Sequence, residues 1–446
     1  MPVDLLRNVR GRAVVNCRAD AVPSAAELES NGARLLNLAG DDLLGLACDT
    51  RVRNAASAAV KDHGLTAISG GRLQHALEAR AASLLGAPAA LVIAHESALL
   101  ELLPSLRLLT EERGRRVLGD AAQVSSPAEA DTALNQQGIV GVVLEALHPL
   151  EGDLSMVPRY AEVCQRHHAR LVVIDDALGV LGPNGGGAIE HLSLSAQTAV
   201  RIVPLGGAIP GAGALVLGEP AFIEALRDVL PVPPAPMLAA STKALEISAA
   251  EGTRRARLFD VAQKMIAGLR SRGFDTGPAV TPWIPAWIGD EALCVQWLET
   301  LAEHSIACRG WLAGPRSRLL LTPGATLTDA QVNQALEVFE RLARKLALPD
   351  ASSVTKDAPV LARPGSYAFG APAAMHWTTV DPRERRPMDA TTQSPTVTPS
   401  MPENLSLRDR VFDAVETVTW RATNVGGGQL RRGADALRAL FDKKRD

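Results

Sequence analysis

Short runs of Val, Ile and Leu separated by segments of helical period constrain this chain more than any other feature. The runs at residues 90–93, 117–118, 138–144, 171–174, 199–203 and 214–217 are continuous rather than alternating. That is how strands buried on both faces read. Helical spacing fills the gaps, as at 75–85, where His75, Leu77, Ala81 and Leu85 recur on one side, and at 156–167. Strand and helix in alternation predict an α/β domain whose mostly parallel sheet is covered by helices. After the proline cluster of 231–236 the pattern changes to one long predicted helix over 241–272, a strand at 318–322 and a helix at 329–347. These make a second, smaller α+β domain.

The expected organisation is an N-terminal arm (1–35), a large domain (36–235), a small domain (236–348), a Pro/Ser/Thr-rich linker (349–403) and an amphipathic tail (404–446). The linker stretch TTQSPTVTPSMPEN has no periodicity to bury. In the tail, Val411, Val415 and Val418 share one helical face, and Leu430, Ala434, Leu437 and Phe441 share another beyond a glycine break. Two short helices are predicted there. They would dock on the protein's own body, on a partner subunit or on a membrane surface.

Charge excludes some functions. Lys and Arg number 46 against 49 Asp and Glu, without long blocks of either sign, so no nucleic acid is expected as partner. Five scattered cysteines without Cys-x-x-Cys spacing predict free thiols, a reducing compartment and no metal. The N-terminus lacks the apolar stretch of a leader peptide, and the most apolar uncharged run, 202–218, is full of Gly and Pro. A cytosolic protein is expected, associated with membrane only if the tail serves that purpose.

Several stretches resemble the α-oxoamine synthases. The segment NGARLLNLAGDDLLGLACDT carries LLGL where that family has Asn-Tyr-Leu-Gly-Leu, and ISGGRLQHALEARAASLLGAPAALVI matches its Ser-Gly segment, helix and following strand. LEGDLSMVPRY…VVIDDALGVLGPNGGG matches its Asp-Asp-Ala-His block, and GPRSRLLLT its late Arg-x-Arg strand. The likeness implies a fold-type I, aspartate-aminotransferase-like transferase. Such enzymes use pyridoxal phosphate as an electron sink to condense an amino acid with an acyl-CoA.

The resemblance also implies a lysine that forms an imine with the cofactor, set in a Ser/Thr-x-Ser/Gly-Lys turn. Here the matching stretch IVPLGGAIPGAGALVLG puts Gly207 at the lysine position and Pro204 where a hydroxyl would meet the phosphate. No slip of alignment restores the amine. The seven lysines are Lys61, Lys243, Lys264, Lys345, Lys356, Lys443 and Lys444, so none lies between 62 and 242.

Three other positions depart in the same direction. Glu96, in His95-Glu96-Ser97, stands at a helix start where the family's backbone N–H groups hold the phosphate, and its carboxylate would repel that group. It reads either as an ordinary first-turn acid or as an internal occupant of the anion site. Val124 replaces the family's ring-stacking His, and Leu178 replaces the last residue of Asp-Asp-Ala-His. The Gly-rich stretch that crosses the family's dimer is shortened to HGLTAISGG.

Retained positions are Asp175 and Ala177, which match the motif that meets the pyridinium nitrogen, and Arg316, which matches the arginine that takes a substrate carboxylate. Each reads either as a working contact, Asp175 and Ala177 to cofactor and Arg316 to substrate, or as a relic or an ordinary structural residue. His75, at the family's helix histidine, reads as a packing residue. No covalently bound cofactor is expected, with pyridoxal phosphate held non-covalently at most. The leading expectation is a non-catalytic homologue in a homodimer, or in a heterodimer with a catalytic α-oxoamine synthase. Two other readings stand beside it: an enzyme that uses pyridoxamine phosphate or another ligand without an imine, or that recruits Lys243, and a scaffold or membrane-surface protein acting through its tail.

Overall fold

The computed structural model describes residues 4–7, 13–16 and 19–348, apart from 67–70, 101–107, 112–121, 137, 228–229 and 347. The predicted strand at 117–118, the linker and the tail helices lie outside the described residues.

A seven-stranded sheet organises the chain between residues 89 and 218. Its order is Ala89–Ile93, Ala214–Gly218, Val200–Pro204, Arg170–Ile174, Gly141–Glu145, Leu108–Glu111 and Ala122–Val124. Ala214–Gly218 runs antiparallel to both neighbours, and the other pairings are parallel. The central strands are buried on both faces. Val173 and Val203 enter one apolar cluster while Val172, Ile174 and Ile202 enter another. Continuous β-branched runs are what this two-sided burial requires. Five predicted strands are present within a few residues. Leu108–Glu111 and Ala122–Val124 are additional, each too short to register as an apolar run.

Two corrections concern helices. The long helix expected over 241–272 is two, Ala235–Ala250 and Gly252–Arg270, separated at Glu251 with φ −106° and ψ 60°. Glycine at the break, the poorest helix former apart from proline, makes the interruption cheap. In the helix Arg72–Leu85 the buried face is Gln74, Leu77, Glu78, Ala81 and Leu85, so His75 is not a packing residue. Its side chain is 59% exposed and stands 3.9 Å from Glu78. The 74–77–78–81–85 series has the helical period, and position 75 falls one residue off it.

A second apolar core joins the helices Gly252–Arg270, Glu291–Glu303 and Asp329–Leu346, with Trp297, Phe274 and Phe339 at its centre. Its five-stranded sheet has the order Asp4–Arg7, Ala13–Asn16, Arg309–Leu312, Arg318–Leu321, Ile284–Trp287. Segments far apart in sequence thus share one sheet. A further small sheet pairs Ala33–Asn37 with Ile306–Ala307. No helix among the described residues is long and apolar enough to cross a membrane.

Candidate functional site at the carboxyl edge of the sheet

Parallel strands deliver their carboxyl ends to one edge, the usual place for ligand chemistry in α/β folds. Asp175 follows the strand Arg170–Ile174, Pro204 ends the neighbouring strand, and Gly207 lies in the turn beyond it. Glu96 opens the helix Glu96–Leu100 after the edge strand Ala89–Ile93, and Val124 ends the strand at the opposite edge. Asp175, Leu178, Pro204 and Gly207 therefore lie at the carboxyl ends of two adjacent strands or in the turns that follow them. Val124 and Glu96 belong to strands three places away on either side, on the order of 14 Å at the usual strand spacing.

Apolar side chains fill the centre of this edge. Leu178 and Ile209 are each 2% exposed, Ala177, Ala208 and Leu44 are buried in the same cluster, and Val124 is buried in it at the outermost strand. A Cβ on Gly179 would stand 3.0 Å from Ile209 Cδ1 and 3.2 Å from Leu44 Cδ1, so the 178–181 turn, the 205–211 turn and the 43–46 segment are packed together. Position 207 differs from this. A Cβ there meets nothing within 4 Å, and its φ lies outside the left-handed region.

Asp175 is fully buried. Oδ1 accepts from the backbone N–H of Ala177 at 3.1 Å and of Ala188 at 3.0 Å. Oδ2 accepts from Ile189 N at 3.0 Å and pairs with Arg201 Nη2 at 2.8 Å. Arg201 also donates to the carbonyl of Gly186. Beside this pair lies His191, whose imidazole burial pushes below its ordinary value against the opposing pull of Asp175 and Glu190. Arg201 lies outside the motifs that carry the family resemblance. The signal was available: a lone arginine inside the apolar strand VRIVP cannot be buried without an acid opposite it.

The late strand holds a second cation. Arg316 is exposed in a turn, whereas Arg318, two residues on, is 1% exposed. Its Nη1 donates to Leu150 O and Glu151 Oε1, both at 2.8 Å, and its guanidinium lies 3.5 Å from the Trp287 ring centroid and 4.5 Å from that of Trp311. Burial lowers its pKa from the ordinary guanidinium value, partly countered by Glu151. The hairpin that carries Glu151 is anchored at its base by a buried polar cluster. His148 lies 3.2 Å from both Asp153 Oδ1 and Glu111 Oε2, and Ser155 Oγ donates to Glu111 at 2.7 Å. No local pattern marks this cluster, because Glu111 and the 148–155 hairpin are separated segments of the sequence.

Lys243 remains the nearest lysine in sequence to the 204–213 turn. Ser241 Oγ donates to Pro210 O, so the helix Ala235–Ala250 packs on that turn. Two residues on, the side chain is rotated by about 200° at 3.6 residues per turn. Lys243 Nζ accordingly points elsewhere and pairs with Glu246 at 2.5 Å.

Curated relatives resolve which family has this edge. An 8-amino-7-oxononanoate synthase of Anaeromyxobacter dehalogenans strain 2CP-1 is 32% identical over 320 residues, 64% of this chain and 78% of the relative. Another, from strain 2CP-C of the same species, is 31% identical over 347 residues, 68% and 85% of the respective chains. The chain belongs to the α-oxoamine synthase family. No family model matches it. Among solved structures, a Sphingomonas wittichii serine palmitoyltransferase is 21% identical with a TM-score of 0.69, covering 74% of this chain and 93% of that one. An 8-amino-7-oxononanoate synthase from Francisella tularensis gives 0.61 at 18% identity, with 70% and 98% covered. These neighbours share the α/β fold of pyridoxal-phosphate-dependent fold-type I transferases, and family membership makes this chain a relative of acyl-condensing enzymes.

Residues on this edge do not fit a pyridoxal ring that must be tethered as an imine and held through its ring nitrogen. Position 207 offers no amine. Asp175 already accepts four hydrogen bonds, which is about the capacity of a carboxylate.

Proposed function

We propose that this chain is a non-catalytic α-oxoamine synthase homologue that serves as structural or regulatory partner of a pyridoxal-phosphate-dependent enzyme condensing an acyl-CoA with an amino acid. One observation carries the reading: no lysine occurs between residues 62 and 242, where the family's imine-forming amine would have to be. An aldehyde cannot be tethered where no primary amine reaches it. Lys243, engaged with Glu246 on the far side of its helix from Ser241, supports this reading rather than a recruited amine.

Retention of the fold supports a role in assembly. The two apolar cores, the mixed sheet and the buried cations paired with Asp175 and Glu151 are maintained without the amine that chemistry requires. Dimers are the common oligomeric form of soluble proteins, and a chain of this fold can complete or stabilise a related subunit across a two-fold axis. Pyridoxal phosphate would then reside in the partner. Purification of the tagged full-length chain from its native host tests the idea: a lysine-bearing homologue should accompany it in stoichiometric amount. Recovery solely as a homodimer would sink the proposal.

A further inference from the structure

Arg201 stands where an arginine is costly. Its strand neighbours Val200, Ile202 and Val203 are buried and apolar, and Arg201 itself is 5% exposed. A cation at that depth persists only with an acid beside it. Asp175 on the adjacent parallel strand provides that acid at 2.8 Å, and Val173, on the same strand two residues before Asp175, is the register partner of Arg201. The remaining acceptor positions of the carboxylate are taken by the amides of Ala177, Ala188 and Ile189.

The turn that supplies two of those amides closes directly over the pair. Gly187 has φ +88°, and a Cβ there would lie 2.7 Å from both Arg201 Nη2 and Asp175 Oδ2. Its N–H donates to Leu181 O at 2.8 Å, and Glu190 Oε2 accepts from Gly186 N at 2.7 Å. Any side chain at 187 would meet the ion pair, and any ring donor approaching Asp175 would have to displace one of four existing partners.

We infer that Arg201 is the resident counter-cation of Asp175, and that the pair seals this edge against an aromatic cationic ring such as that of pyridoxal phosphate. The inference rests on the reading of the chain as a member without cofactor chemistry, and it makes a separate claim: the missing amine is not the only barrier. Supplying a lysine at 207, where the backbone and the open space permit one, leaves the cofactor unbound until Arg201 is also removed.

The test uses the full-length chain as wild type, Gly207→Lys and Gly207→Lys/Arg201→Met, with folding followed by circular dichroism. Each is incubated with pyridoxal phosphate, reduced with borohydride and mapped by peptide mass spectrometry. Gly207→Lys is expected to carry no more adduct at the introduced lysine than surface lysines carry. The double variant is expected to gain at least about tenfold in adduct there, since a hydrogen bond to a charged group is worth that much in affinity. If the methionine variant does not fold, Arg201→Gln, which removes the charge and keeps a donor toward Gly186 O, takes its place. Stoichiometric adduct on Gly207→Lys alone overturns the inference, as does a folded double variant no more reactive than the single one. Neither result bears on whether a lysine-bearing partner co-purifies, so the two proposals fail separately.

Discussion

The guanidinium carbon of Arg318 lies 3.5 Å from the ring centroid of Trp287, with Trp311 4.5 Å away and Glu151 Oε1 2.8 Å from Nη1. Two indoles and one carboxylate thus hold a cation that is 1% exposed. Arg318→Ala removes the partner of Glu151 and the packing between the indoles, and should cost about 3 kcal/mol or more. Arg316→Ala, at an exposed turn, should stay within about 0.5 kcal/mol of the parent. Urea unfolding of the two variants side by side checks the contrast; equal losses would remove Arg318 as an anchor of the five-stranded sheet.

Gly207 needs no glycine. With no atom within 4 Å of its Cβ position, Gly207→Ala should change stability by no more than about 0.5 kcal/mol, with a slight gain if any from the restricted unfolded chain. Gly187→Ala should fail by contrast, because its Cβ would press on Asp175 and Arg201. Thermal melts of both variants decide the point.

Leu178 is buried in the main core, and reinstating the family's histidine there places an imidazole among Leu and Ile side chains. Leu178→His should destabilise by about 1–3 kcal/mol through an unsatisfied polar group. A variant as stable as the parent would show that the site retains room and polarity for a ring.

His191 should make stability depend on pH. Burial holds its native value below the ordinary 6.5, so the unfolded chain binds this proton more readily than the folded one. The contribution is present above the unfolded value and is lost as pH falls from about 6.5 through the lower native value. Stability measured across that interval should decline more steeply in the parent than in His191→Gln.

Three thiols should be silent. Burial pushes Cys164 and Cys294 up to about 12 and raises Cys308 further, whereas Cys48 is only half-buried. Of the four cysteines described, Cys48 alone should react with a disulfide reagent in the native protein, and all four after denaturation. Early labelling of Cys294 or Cys308 would contradict the packing of the second core.

Much of the fold was legible because continuous Val, Ile and Leu runs report two-sided burial directly, and five of the sheet's seven strands were predicted from them. The emptiness of position 207 was equally plain, since the absence of lysine from 62 to 242 does not depend on folding. Tertiary structure decided the rest. Only folding brings Asp175 to Arg201, Glu151 to Arg318, and His148 to Glu111 and Asp153, and only the register of Arg72–Leu85 turns His75 outward while burying Glu78. Periodicity records which positions leave water, so the strands could be read from the chain alone; which buried charges neutralise one another is set by contacts between distant segments, and no local pattern encodes them.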